Sequence, residues 1–224
     1  MLEKNSVLSF SSQKNLDINA AQYIIEKAKI AIREKGSFSL VLSGGTTPVN
    51  VYKLLAKEQV NFDKWHIYFG DERCFPLDHL ERNSNIAKST WLSKVNILKS
   101  NIFIIPAELG NSEGALVYEK LLDKNKPFDL VMLGLGDDGH IASLFPRHQW
   151  DNSKQVVSVS NSPKAPSDRI SLTPSRLSNT QDVLFLISGK NKVNAFKQWK
   201  EGVDLPANLI SAKNKILIMT FGVV

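Results

Sequence analysis

Three apolar runs in this chain stop abruptly at knots of small, charged or hydroxyl residues, and this pattern limits the fold more than any other. They lie in SLVLSGGTTPVNVYKLL, HIYFGDERCFPLDH and LVMLGLGDDGHIASLFP. A strand that is apolar nearly throughout needs cover on both faces, which is the situation of a strand inside a parallel sheet. In open sheets of that kind ligands bind beyond the carboxyl ends of the strands, where the three knots would fall. Three polar turns from separate strands can then share one crevice.

The rest of the chain repeats the alternation. Ala21, Ile24, Ile25, Ala28 and Ile32 recur at spacings of three and four and predict a helix over 18–34. FSLVLS reads as a strand, followed by a helix from Pro48 with Val51, Leu54 and Leu55 inside. WHIYFG is a second strand, a helix over 85–95 follows a long loop, and IFIIP is a third strand before a helix over 112–123. FDLVMLGLG is the most apolar strand; QVVSVS, RISLT and VLFLIS follow, then a helix through Val193, Phe196 and Gln198, and ILIMT. The expected fold is α/β: one domain over 1–224, with a doubly wound, mostly parallel sheet and helices on both faces, Rossmann-like in arrangement. Residues 161–168, NSPKAPSD, read as an irregular mobile loop because two prolines and polar residues exclude regular structure.

Composition adds exclusions. No apolar run approaches the roughly 20 residues of a membrane span, and residues 1–15 lack the apolar core of a signal peptide. The single cysteine, Cys74, allows no internal disulfide. These features lead us to expect a soluble cytoplasmic protein. Lys and Arg exceed Asp and Glu by 28 to 22, a net charge of +6. The lysines are scattered rather than grouped into a stripe, which favours a small anionic substrate, or solubility alone, over nucleic acid. No membrane association and no obligate protein partner are expected.

Each knot has a chemical and a structural reading. In LSGGTTP, Ser43, Gly44 and Gly45 leave a strand before Thr46, Thr47 and Pro48 open a helix. Glycines admit close approach of a ligand, and free N–H groups at a helix start favour an anion. An ordinary turn capped by Thr46 or Thr47 is the alternative, and neither the dinucleotide fingerprint nor the P-loop spacing is present. In GDERCFP, Asp71, Glu72 and Arg73 suit either a structural ion pair or a site, while Cys74 reads as a small packing residue. In GLGDDGH, His140 follows Gly139 in a turn too glycine-rich for a core helix. A histidine there can serve as a general base, since its ordinary pKa lies near 6.5, and Asp138 is close enough to orient it. His66, His79 and His148 show no metal-ligand spacing with His140, so no metal is expected. Lys190 and Lys192 open a helix, where cations are unfavourable unless an anion lies between them; otherwise they are simply solvated.

Taken in order, these motifs resemble the 6-phosphogluconolactonase family over almost the whole chain. Its Ser-Gly-Gly-Ser/Thr-x-Pro turn is matched by residues 43–48. Its Asp-Glu-Arg, followed by Pro, His and Ser-Asn, is matched by Asp71, Glu72, Arg73, Pro76, His79, Ser84 and Asn85. Its Leu-Gly-x-Gly-x-Asp-Gly-His-x-Ala-Ser-Leu-Phe-Pro is matched over 133–146, and Arg169 begins its Arg-Ile-Thr-Leu-Thr, with Ser171 in place of the usual Thr. The resemblance implies hydrolysis of 6-phospho-D-glucono-1,5-lactone to 6-phospho-D-gluconate in the pentose phosphate pathway, without a cofactor. It implies His140 as base, Asp138 fixing its imidazole, and Arg73 steadying the carbonyl or orienting substrate. Ser43, Gly44, Gly45, Thr46, Asp71, Arg169 and Lys192 would bind the sugar phosphate.

Two alternatives share the motifs. Glucosamine-6-phosphate deaminases have a similar phosphate turn and Asp-Gly-His, but there the following stretch resembles Ile-Ala-Phe-Asn-Glu-Pro. Their Glu falls on Phe145 here, and they tend to carry Tyr where this chain has Arg73. A sugar-phosphate sensor without catalysis would keep the phosphate turn but would need neither Asp138 nor His140.

Overall fold

The computed structural model describes residues 5–223. Residues 1–4 of the N-terminal segment read above for a leader lie outside the described residues. In chain order the elements are β1 (Asn5–Ser9), α1 (Gln13–Lys35), β2 (Phe38–Leu42), α2 (Thr46–Leu55), β3 (Trp65–Phe69), β4 (Asp71–Arg73), α3 (Asn83–Thr90) and β5 (Ile102–Phe103). They continue with α4 (Asn111–Leu121), β6 (Phe128–Leu133), β7 (Val156–Val159), β8 (Arg169–Leu172), α5 (Pro174–Ser178), β9 (Thr180–Ser188), α6 (Val193–Lys200) and β10 (Lys215–Phe221).

Seven strands form a parallel sheet in the order β1-β10-β9-β6-β2-β3-β5. From β2 the chain builds outward through β3 to β5. It then returns to β6 on the other side of β2 and builds outward again through β9 and β10. The direction reverses between β2 and β6, so the carboxyl ends of those two strands flank the crevice where such sheets bind ligands.

All six residues of β6 are buried, as its composition requires. Successive side chains on a strand face opposite sides, and β6 shows what covers each. Phe128 lies under the Arg176 guanidinium of α5, 3.7 Å from its ring centre, and against Tyr68 of β3. Asp129, next along, pairs with Lys35 at the end of α1 at 2.8 Å and accepts from the Ser39 backbone N–H at 2.7 Å. Helices therefore cover both faces of the sheet.

Several boundaries differ from expectation for local reasons. Helix α1 starts at Gln13 because the Ser12 hydroxyl caps it by accepting from the Asn15 N–H. Helix α3 covers Asn83–Thr90 rather than 85–95, and a separate 3-10 turn, Leu92–Lys94, follows a break at Trp91. Strand β5 keeps only two residues of IFIIP, at the edge of the sheet. Strand β1 and the one-turn helix α5 were not anticipated.

The larger departure is a second sheet. Gly70 ends β3, and Asp71–Arg73 turns away to form an antiparallel sheet in the order β4-β8-β7. QVVSVS and RISLT become β7 and β8 of this small sheet rather than members of the main one. Its register sets Arg73 directly opposite Arg169 and Asp71 opposite Ser171.

Candidate active site

A cleft of about 360 Å³ opens at the switch point. Ser43, Gly44, Gly45 and Thr46 line it from the end of β2, and Gly134, Leu135, Gly136 and His140 from the end of β6. Asp71, Arg73 and Arg169 enter from the small sheet, and Lys192 from the turn before α6. Nine of the ten residues singled out from the sequence thus share this lining. The tenth, Asp138, stands immediately behind His140.

The β2 end is built for an anion. Gly45 is the N-cap of α2 and supplies no side-chain bond, so neither Thr46 nor Thr47 caps the helix. Pro48 is the third residue of the helix rather than the first, as Thr46 and Thr47 already belong to it. Among the described residues the N–H groups of Thr46 and Thr47 meet no acceptor, a state that favours a bound anion. The Tyr52 hydroxyl donates to the Ser43 carbonyl at 2.7 Å and holds the turn.

Cations share the cleft. Arg73 and Arg169 face each other across β4 and β8, although like charges directly opposite on neighbouring strands are unfavourable. Arg73 donates through Nη1 to the Glu81 carbonyl at 2.5 Å, while its buried Nε has no partner. Arg169 is almost wholly buried. Its Nε and Nη2 donate to the carbonyls of Pro166, Lys164 and Ala165, which leaves Nη1 for a ligand. Burial lowers the Arg169 pKa, partly offset by Asp71, and burial likewise lowers that of Lys192, partly offset by Asp137. Lys192 is the N-cap residue of α6, whereas Lys190 is exposed and outside the lining. A cluster of desolvated cations at a helix N-terminus is costly when empty and is relieved by an anion.

The β6 end carries the acid–base pair. Nδ1 of His140 lies 2.5 Å from Oδ1 of Asp138, which also accepts from the His140 backbone N–H at 3.2 Å. Because Asp138 is charged, Nδ1 carries the proton, and Nε2 is the nitrogen with a free lone pair. Burial works against the Asp138 charge, but the bonds from His140 and the nearby Lys164 ammonium outweigh it and hold the carboxyl well below the usual range. Gly136 makes the pairing sterically possible, since a Cβ there would collide with both His140 Nδ1 and Asp138 Oδ1. The Phe145 ring, fully buried, packs 4.9 Å from the imidazole.

Glu72 resolves to the structural alternative. It is fully buried, accepts from the N–H groups of Asn83 and Ser84 at the start of α3, and lies 3.7 Å from Arg82 rather than pairing with Arg73. Burial, reinforced by Asp168 and Glu72, raises the Cys74 thiol to about 11, which removes it as a nucleophile near neutral pH.

Sequence reasoning missed Asn83 and could assign Lys164 no role. Asn83 lines the cleft, and its amide nitrogen donates to the Asp71 carbonyl at 3.0 Å and to Asp71 Oδ1 at 3.2 Å. Its Oδ1 is buried without a partner and packs on Gly44, where a Cβ would strike it. The Ser143 hydroxyl donates to Asp71 Oδ2 at 2.6 Å. Nothing local to the sequence around residue 83 announces these contacts. Lys164 pairs with Asp137 and lies 3.9 Å from Asp138 Oδ2.

The geometry defines an α/β protein with a cleft suited to a small anion at the switch point of its sheet, and with a histidine–aspartate pair at that cleft. Residues 11–219 match the family model described as glucosamine-6-phosphate isomerases/6-phosphogluconolactonase, and the chain belongs to that family. It is 33% identical over 236 residues to 6-phosphogluconolactonase 3, chloroplastic, of Arabidopsis thaliana, covering 96% of this chain and 73% of that one. It is also 33% identical over 205 residues to a 6-phosphogluconolactonase of a Nostoc strain, covering 87% and 85%. The crystal structure of 6-phosphogluconolactonase from Thermotoga maritima superposes with a TM-score of 0.87 at 28% identity, covering 97% of this chain and all of that one. Among the described residues no helix is long and apolar enough to cross a membrane.

Proposed function

We propose that this enzyme hydrolyses 6-phospho-D-glucono-1,5-lactone to 6-phospho-D-gluconate in the pentose phosphate pathway, with His140 as general base. The observation that carries the reading is the 2.5 Å His140–Asp138 pair at a cleft that also holds an uncapped helix start and the cations Arg73, Arg169 and Lys192. The relatives named 6-phosphogluconolactonase support the same substrate. A cytoplasmic setting is part of this reading, and the lone Cys74, which allows no internal disulfide, agrees with it; the Arabidopsis relative is by name chloroplastic.

In this reading the 6-phosphate sits on the N–H groups of residues 45–47, with Lys192 and Nη1 of Arg169 as charged donors. Ser43, Gly44 and Asp71 shape the wall beside it. Water lies between His140 Nε2 and the lactone carbonyl. As its oxygen bonds to C1, Nε2 takes one of its protons and Asp138 steadies the imidazolium. Arg73, which lines the cleft, is the candidate for stabilising the oxyanion. Collapse of the tetrahedral intermediate breaks the bond from C1 to the ring oxygen, and the imidazolium returns its proton to that oxygen as it becomes a hydroxyl. A lactone is an activated ester, so one positioned base worth about 10²- to 10⁴-fold is sufficient.

The deaminase alternative needs a proton-relaying group where Phe145 stands, and an aromatic ring cannot relay protons. The direct test supplies the enzyme with each substrate in turn. The lactone should disappear well above its spontaneous rate in a stopped-flow assay. Glucosamine 6-phosphate should yield no enzyme-dependent ammonia in a coupled glutamate dehydrogenase assay. Ammonia release at a rate comparable with lactone turnover would overturn the assignment.

The phosphate placement has its own test. Lys192 contacts a group distant from the reacting carbonyl, so its binding energy is present in ground state and transition state alike. Lys192→Ala should raise KM by about tenfold or more with kcat within about twofold, as expected for loss of one charge-assisted hydrogen bond. Inorganic phosphate should compete less well in the variant. An unchanged inhibition constant for phosphate would remove Lys192 from the site.

A further inference from the structure

We propose that Lys164 is a positioning residue for the acid–base pair: it docks the 161–168 loop onto Asp137 and Asp138 and keeps His140 in its proton-accepting form. This rests on the reading of His140 as the general base.

The loop is irregular, as expected, but it is tied down. The Ser162 N–H donates to the Ser167 carbonyl at 2.9 Å, closing the loop, and Ser162 Oγ bonds the Lys164 carbonyl at 2.8 Å. The Arg169 guanidinium binds the carbonyls of residues 164, 165 and 166 from below. At its base the Asp168 carbonyl accepts from the Cys74 N–H at 3.1 Å. The purpose of this scaffold is visible at its tip. The half-buried Lys164 ammonium pairs with Asp137 Oδ1 and approaches Asp138 Oδ2 to 3.9 Å, on the oxygen opposite the one that holds His140.

The pairing answers a problem inherent in a histidine–aspartate base. An aspartate hydrogen-bonded to Nδ1 selects the useful tautomer, but its charge also favours the imidazolium, which cannot accept a proton. Two adjacent aspartates worsen this. The charged groups around the ring are Asp137 and Asp138 from its own turn, Lys164 from the loop and Arg169 from β8. Lys192 from the turn before α6 and Asp71 and Arg73 from β4 line the same cleft as the ring. Phe145 contributes an apolar face. Of the cations, Arg73, Arg169 and Lys192 line the cleft, where a phosphate would neutralise part of their charge. Lys164 lies outside that lining and contacts both carboxylates, so its compensation persists when substrate is bound. The low Asp137 and Asp138 carboxyls agree with a cation held between them.

The test compares Lys164→Met, which keeps the length of the side chain without its charge, with Lys164→Arg. With Lys164 lost, both aspartates act uncompensated on the imidazole, so the acidic limb of the kcat/KM profile should move to higher pH. Loss of one nearby cation implies a displacement of about half a pH unit or more. At pH 6 the variant should lose about threefold or more relative to wild type, with the alkaline plateau largely kept. Lys164→Arg should restore the wild-type limb. Proton NMR titration of the His140 ring, assigned by its loss in His140→Asn, should show the same upward displacement in substrate-free Lys164→Met. A variant with a lower plateau but an unmoved acidic limb, or an unmoved NMR titration, would show that Lys164 only braces the loop and would overturn the proposal. The NMR arm needs no turnover. A displaced titration in a protein that does not hydrolyse the lactone would therefore sink the functional reading and leave this one standing.

Discussion

Replacing His140 by Asn is expected to lower kcat by about 10²- to 10⁴-fold, the range of a single general base, while leaving the fold and phosphate affinity in place. Asparagine keeps a polar group at this position, and what is lost, the ring's contact with Phe145 and its bond to Asp138, lies within one turn. The remaining cleft keeps the uncapped α2 start, Arg73, Arg169 and Lys192, none of which bonds to His140. Calorimetric binding of inorganic phosphate should therefore stay within about threefold of wild type, since the truncation removes no phosphate donor. Asp138→Asn should be harmful by a different route. An amide opposite Nδ1 no longer selects the tautomer with a free Nε2, so part of the catalysed rate goes while the ring itself remains. Retention of more than half of wild-type kcat by His140→Asn would place the base elsewhere.

That expectation was legible from residue types because the site at the β6 end is local. His140, Asp138 and Gly136 lie within one turn, and the apolar run before them set that turn at a strand end. The same holds for residues 43–46, although the helix start there proved to be bare. What the sequence could not show is lateral order. Apolar runs of similar composition carry no label for their neighbours, and nothing in FSLVLS or FDLVMLGLG says that they lie side by side. The small sheet was hidden for the same reason: Arg73 meets Arg169 through register between segments far apart in the chain. Strand β1 escaped notice because it is an edge strand with Val7 and Leu8 about half exposed, so its pattern is weak. Lys164 could be given no role from the sequence, since its partners sit in another turn.

Gly136→Ala is expected to cost at least about a hundredfold in kcat, although it adds a single methyl group and removes no functional one. The reason lies in where the methyl must go. A Cβ at position 136 would overlap the imidazole Nδ1 and the Asp138 carboxylate, the two atoms whose hydrogen bond fixes the base. Neither is the far end of a long flexible chain that can swing aside. The Gly136 N–H also donates to the His140 carbonyl at 2.7 Å, so the turn cannot simply open without losing that bond. The backbone itself does not demand glycine here, as Gly136 is not among the residues with positive φ. The effect is therefore one of side-chain collision, and displacement of the ring by about 1 Å suffices for a loss of this size. Overpacking of this kind costs about 1–3 kcal/mol in stability, visible as a modest fall in Tm. Gly134, two residues earlier in the same motif, supplies the contrast. The nearest atoms to a Cβ there, the Leu186 carbonyl oxygen and Ser43 Oγ, are 4.0 Å away, an ordinary contact. Gly134→Ala should lose less than about fivefold, since a new contact at van der Waals distance forces no neighbour to move. Equal losses in the two variants would mean that the motif needs glycine for chain flexibility, and that the His140–Asp138 pairing is not what Gly136 protects.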